Sequence, residues 1–128
     1  MQEADAVSTK TVGDRGENLA ADYLEQKGLS ILERKYRTPV GEIDLIVREG
    51  RTLVFVEVKT RKSARYGRPA AAVGREKQRR IVRAALWYMN RKQGETPPCR
   101  FDVVEIYAQP GGAWSVQHIE EAFEAERI

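Results

Sequence analysis

A chain of 128 residues, 41% hydrophobic and 32% charged, holds enough material for one globular domain with one continuous core and too little for two. Its single cysteine, Cys99, excludes an internal disulfide, and its single histidine, His118, excludes a Cys/His zinc cluster. The net charge is only +3, but it is laid down unevenly: residues 59–92 carry twelve Lys or Arg against the one acid Glu76, and the segments on either side are net acidic. Met1 to Lys10 is polar, and no apolar stretch reaches signal-peptide or membrane-spanning length, so a soluble, cytoplasmic protein is expected.

Residues 1–12 lack periodicity and are expected to form a flexible tail, leaving 13–128 as a single domain. A helix is expected from about Gly13 to Lys27, stopped by Gly28, with Ala20, Tyr23 and Leu24 as its apolar stripe. Glu17 precedes Ala20, Ala21 and Leu24 at helical spacing, which sets a carboxylate on or beside the inward face. Ser30 to Arg37 reads as a strand, Thr38-Pro39-Val40-Gly41 as a break, and Glu42 to Arg48 as a second strand turning at Glu49-Gly50. Thr52 to Thr60 is apolar on both faces through Val58, the pattern of a central strand covered on both sides. Arg61 to Gly74 reads as an extended loop, and Val73 to about Lys92 as a long helix with Ile81, Ala84, Ala85 and Tyr88 on its apolar side. Arg100 to Tyr107 and Trp114 to Ile119 are two further strands, and Glu121 to Glu126 is expected to be a short terminal helix. The order α-β-β-β-α-β-β argues for an α/β domain with one mixed central sheet flanked by helices, in which the long helix links parallel strands.

Chemistry concentrates in the hairpin. Glu57 and Lys59 are two apart on a strand and therefore share a face. Asp44 lies 13 positions before Glu57 on the preceding strand, and folding the hairpin at Glu49-Gly50 returns it beside Glu57. An acid and a lysine at this spacing are ordinarily a solvated surface pair. Here they close a strand that begins Leu53-Val54-Phe55-Val56, and ionisable groups at the end of a central strand need partners. Hard divalent ions such as Mg2+ sit on one or two carboxylates together with other oxygens, which Asp44, Glu57 and the backbone carbonyl of Val58 can supply. Such an ion acidifies water and neutralises charge developing on a phosphate, while Lys59 can orient the nucleophile or stabilise the transition state. Glu17 is placed to hold a metal-ligated water or a second ion.

Gly41-Glu42-Ile43-Asp44-Leu45-Ile46 followed by Val54-Phe55-Val56-Glu57-Val58-Lys59-Thr60-Arg61 resembles the signature of the small bacterial YraN family. The likeness extends to Gly16-Glu17 with Ala20 and Leu24, to Val73, Lys77 and Ile81, and to Phe101-Asp102-Val103-Val104, and so covers most of residues 13–125. That family is similar in fold to archaeal Holliday-junction resolvases and restriction endonucleases. The resemblance implies a restriction-endonuclease-like fold and a Mg2+-dependent PD-(D/E)xK nuclease, with Mn2+ able to substitute. Asp44, Glu57 and Lys59 match the motif's Asp, Glu and Lys, and Glu17 matches the acid on the first helix of the resolvase-like branch. Ile43 stands where the motif has proline.

The basic block begins at Lys59 itself. Arg61, Lys62, Arg65 and Arg68 on the loop, with Arg75, Lys77, Arg79, Arg80 and Arg83 on the helix, can line an approach for the closely spaced phosphates of a nucleic acid, DNA above RNA. Gln78 turns toward the sheet, where its amide either meets phosphate or caps a strand end. Symmetrical cleavage of a junction would need a homodimer of C2 symmetry. A module of the same fold with a silent site, binding nucleic acid or protein through the basic helix, is the alternative, and metal dependence separates the two. His118 has no sequence neighbour that makes it a base, and Asp102 and Glu105 point to opposite faces and read as structural.

Overall fold

The computed structural model describes residues 9–61, 73–91, 94 and 96–125. Its elements are α1 (Thr9–Gln26), β1 (Ser30–Thr38), β2 (Gly41–Glu49), β3 (Thr52–Arg61), α2 (Arg75–Asn90), β4 (Cys99–Ala108) and β5 (Trp114–Phe123), with a 3-10 turn at Pro110–Gly112. This is the expected order, in one five-stranded sheet whose spatial sequence, β1-β2-β3-β4-β5, follows the chain. Neighbours are antiparallel except β3 and β4, which run parallel because the connection through α2 returns the chain to the same end of the sheet.

The central strands read apolar on both faces because a helix covers each side. Ala20, Ala21 and Leu24 of α1 pack with Leu45, Val47, Val54, Val56, Val104 and Ile106. Opposite them, Ile81, Val82, Ala84, Ala85 and Tyr88 of α2 pack with Ile43, Ile46, Phe55, Phe101 and Val103. Phe55 is the hub of the second core. Its ring stacks on Phe101 at 5.6 Å and meets Tyr88 edge-on at 6.1 Å, and Phe101 stacks on Phe123 at 5.1 Å. Full burial of such a side chain contributes about 1.5–3 kcal/mol, so the two faces together carry most of the stability.

Several boundaries differ from the sequence reading. Helix α1 begins at Thr9, so its first turn comes from the segment expected to be a tail. Over the described residues 121–125, the terminal helix expected at Glu121 to Glu126 does not form. Strand β5 instead continues through Phe123, with Phe101 opposite Phe123 and a register shift that Glu121 absorbs at φ 50°. Cross-strand pairing and the Phe101–Phe123 stack outweigh the helix propensity of Glu-Ala-Phe-Glu-Ala. Helix α2 spans Arg75–Asn90, shorter at both ends than expected. Among the described residues, no helix is long and apolar enough to cross a membrane.

Candidate active site

Strands β2 and β3 pair from Glu49↔Thr52 up to Leu45↔Val56, and the next residues in register are Asp44 and Glu57. The ladder stops there. The Val58 N–H donates instead to Asp44 Oδ2 at 2.8 Å, so the carboxylate takes a bond the backbone has given up and is held beside Glu57. Sequence spacing thus brings the two acids together as expected.

Glu57 is 4% exposed, and a buried carboxylate needs positive charge nearby. Two ammonium groups converge on its Oε2: Lys59 Nζ at 3.6 Å from the same strand, and Lys77 Nζ at 3.0 Å from the first turn of α2. The nearer cation is Lys77, which the sequence assigns to the basic helix as a phosphate contact. Gln78 turns inward beside it, and its Nε2 donates to the Val73 carbonyl at 2.8 Å, tying the entry of α2 to its own first turn. That amide nitrogen is thus engaged by the chain rather than by a strand end.

Glu17 arrives from the other side of the sheet. Gly16 allows it, because a Cβ at that position would collide with Oγ1 of Thr60 near the end of β3. The glycine lets α1 approach closely and sets Glu17 by the strand ends. Glu17 is 6% exposed, with Lys35 Nζ at 3.6 Å; the same ammonium binds Asp14 at 2.5 Å. Lys35 reaches α1 from β1 because its backbone is left-handed, φ 49°. Burial pushes the Glu17 carboxyl up from its ordinary value, against the opposing pull of Lys35 and Arg34.

Asp44 is strongly perturbed. Burial first, and then the charge of Glu57, push its pKa up to about 7, with Glu17 adding to the rise and the Val58 N–H and Lys77 opposing it. Two mutually repelling carboxylates are the kind of donor pair that a hard divalent ion satisfies, so the residues present fit Mg2+. The fit is limited to that pair. Among the described residues, no three acidic, His or Cys side chains come close enough to hold one ion directly. The charge of Glu17 is felt at Asp44.

On β4, Glu105 lies beside Lys59 in register and is 1% exposed. Tyr107 donates its hydroxyl to Oε1 of Glu105, and Arg61 Nε stands 3.5 Å from Oε2. Burial and that bond push the Tyr107 hydroxyl up to about 12. Glu105 is thus a buried anion that anchors Arg61 next to Lys59; strand parity places it on this face, yet nothing in the sequence signals its partners.

Asp102 does face the other way, where it organises a separate network. Its carboxylate accepts bonds from Arg100 Nε, from the backbone N–H of Glu121 and from His118 Nε2 at 2.7 Å. Lys27 Nζ lies 2.8 Å from His118 Nδ1. An ammonium group can only donate, so Nδ1 accepts and Nε2–H donates to Asp102. His118, for which the sequence offers no partner, is the centre of a three-residue chain packed edge-on against Tyr23.

Of the remaining basic residues, Arg75, Arg80 and Arg83 are exposed on α2, and Arg79 is half-buried. Arg79 and Arg80 both reach Glu76, at 3.9 and 3.6 Å. Lys62, Arg65 and Arg68 lie outside the described residues. A cleft of about 890 Å3 lined by Leu32, Arg48, Arg51, Leu53, Tyr88 and Met89 opens at the other end of the sheet, around the Gly50 turn, away from the carboxylates.

The fold and this cluster define a small mixed α/β domain with paired acids and paired lysines at the end of its central hairpin. The chain belongs to the uncharacterised protein family UPF0102, whose model matches residues 16–106. It is 49% identical to the UPF0102 protein of Symbiobacterium thermophilum over 91% of this chain and 99% of that one. It is 48% identical to the UPF0102 proteins of Syntrophus aciditrophicus, over 88% and 87% of the two chains, and of Geobacter sulfurreducens, over 90% of each. Among solved structures, SfsA of Pyrococcus furiosus in complex with Ca2+ aligns over 92% of this chain and 66% of that one at 14% identity and a TM-score of 0.40, a likeness too slight to carry an argument.

Proposed function

We propose that this protein is a Mg2+-dependent nuclease that hydrolyses phosphodiester bonds of structured or damaged DNA, as the resemblance to the YraN family and the PD-(D/E)xK nucleases implies. The observation that carries the reading is the meeting of Asp44, Glu57 and Lys59 at the point where the β2–β3 ladder ends. Asp44, Glu57 and the Val58 carbonyl would hold the ion, with Mn2+ as a substitute. When bound, it supplies charge neutralisation at the phosphate and acidifies water.

The chain's own residues do the rest. Lys59, with its side chain 30% exposed, presents an ammonium group that can orient the attacking oxygen and stabilise the charge that develops as the P–O bond breaks. Glu17 keeps the potential around Asp44 negative, which favours cation occupancy. Arg61, tethered by Glu105, adds a fixed positive charge one residue pair further along β3, and the exposed arginines of α2 extend that surface for a polyanion.

The test is cleavage of labelled single-stranded, duplex, flap and four-way-junction DNA in EDTA, Mg2+ or Mn2+, with Asp44→Ala and Lys59→Ala beside the wild type. Cutting that requires metal and falls at least about 100-fold in both variants supports the nuclease. Full metal-dependent cleavage by Asp44→Ala overturns the metal assignment.

A second reading has one observation in its favour. Glu57 is already matched by two ammonium groups, so the cluster is satisfied without any ion, as in a silent module that binds nucleic acid or protein. Salt-sensitive DNA binding that is indifferent to Mn2+, with no cleavage of any substrate, selects this reading.

A further inference from the structure

Lys77 sits in the first turn of α2, where the helix dipole disfavours a cation, and its side chain is 45% exposed, so local structure gives it no reason to lean inward. It nevertheless reaches the same Glu57 oxygen as Lys59, and from a shorter distance, 3.0 against 3.6 Å. Its charge is also felt at Asp44. The two lysines thus face the acid pair from two different elements, β3 and α2.

We propose that Lys77 is an exchangeable counter-cation: it occupies Glu57 Oε2 in the metal-free protein, yields that oxygen to a divalent ion, and then serves as a contact for the substrate phosphate. The inference rests on the proposed metal site. A flexible four-carbon stem with a compact ammonium head suits such a swing, and partial exposure keeps its cost low. The base of the side chain does not have to move, because the Gln78 bond to Val73 holds the helix entry in place. Exchange also makes the site more positive. With Lys77 displaced and a divalent ion bound, two positive charges stand where one stood, so phosphate binding there follows metal occupancy.

The experiment is a titration of the full chain with Mn2+ alone, followed by water-proton relaxation, for wild type, Lys77→Met, Lys77→Arg and Asp44→Asn. The same proteins are then assayed for kcat/KM on a cleaved DNA at saturating Mn2+. Removal of the competing ammonium in Lys77→Met should tighten Mn2+ by about tenfold, while kcat/KM falls by a similar factor or more and Lys77→Arg recovers part of the loss. A lysine that only touches the DNA backbone would lower DNA affinity and leave the Mn2+ titration unchanged. Unchanged or weaker Mn2+ binding in Lys77→Met, in a protein whose binding is lost in Asp44→Asn, overturns the exchange and leaves the metal site standing. Equal Mn2+ binding by wild type and Asp44→Asn removes the metal site itself, and the exchange with it.

Discussion

At the scale of single residues, the perturbed acids make opposite contributions to stability as pH changes. Asp44 has its pKa raised from 3.8 to about 7, so the native state holds this proton more tightly than the unfolded chain does. Its contribution is fully present below the unfolded value and is lost as pH rises through about 7. The urea midpoint of Asp44→Asn should therefore vary less with pH between about 4 and 7 than that of the wild type, and saturating Mn2+ should reduce the wild-type dependence. Asp102 behaves in the reverse sense. Burial opposes its ionisation, but the bonds from His118, Arg100 and the Glu121 N–H outweigh it and hold the carboxyl below its usual range. Its stabilisation is present above the unfolded pKa and is lost as pH falls through the folded one. Asp102→Asn, which takes the carboxylate from His118 and the Glu121 N–H and leaves Arg100 with Glu49, should destabilise by about 1–3 kcal/mol at neutral pH in urea denaturation. A loss below about 1 kcal/mol would mean that the network is replaceable.

At the scale of elements, the approach of α1 to β3 depends on one missing side chain. A glycine inside a helix ordinarily costs about 0.5–1 kcal/mol relative to alanine, so Gly16→Ala should stabilise an isolated helix. In this fold the new Cβ strikes the stiff, β-branched Thr60, and the variant should instead lose about 1–3 kcal/mol. With Thr60→Ala in place the clash is gone, and Gly16→Ala should become neutral or stabilising in thermal unfolding. A loss of equal size in both backgrounds would show that Thr60 is not the obstacle. The hairpin is a second case. The turn read at Glu49-Gly50 falls one residue on, at Gly50-Arg51 between the paired Glu49 and Thr52, and makes the Asp44–Glu57 pairing legible, because register in a tight hairpin is fixed by the turn. The terminal strand is not legible, since Glu-Ala-Phe-Glu-Ala carries helix propensity and only β4 supplies the edge that extends it.

At the scale of the whole molecule, Phe55 couples β3 to α2, β4 and, through Phe101, β5. Phe55→Ala should cost about 3–5 kcal/mol and lower the unfolding midpoint of the whole domain in one transition. The basic face acts over a longer range. Replacing Arg75, Arg80 and Arg83 with alanine should weaken DNA binding across sequences and reduce the slope of log affinity against log salt by roughly one for each phosphate that is no longer neutralised. An unchanged slope would place the nucleic acid elsewhere on the molecule.

Taken by itself, the sequence determined the order of the elements, the two-faced central strand, and the pairing of Asp44 with Glu57 and Lys59. Each of these rests on local periodicity or on a tight hairpin, where a few positions settle which side chains meet. Only the tertiary structure decided that Lys77 stands nearer Glu57 than Lys59 does, that Glu105 anchors Arg61, and that Lys27, Asp102 and His118 form one chain. Those contacts join α2 to β3, β4 to β3, and the turn after α1 to the β4–β5 pair, and they exist only once elements distant in sequence have come together. No spacing rule within one element reaches across such a fold, because the distances are set by packing.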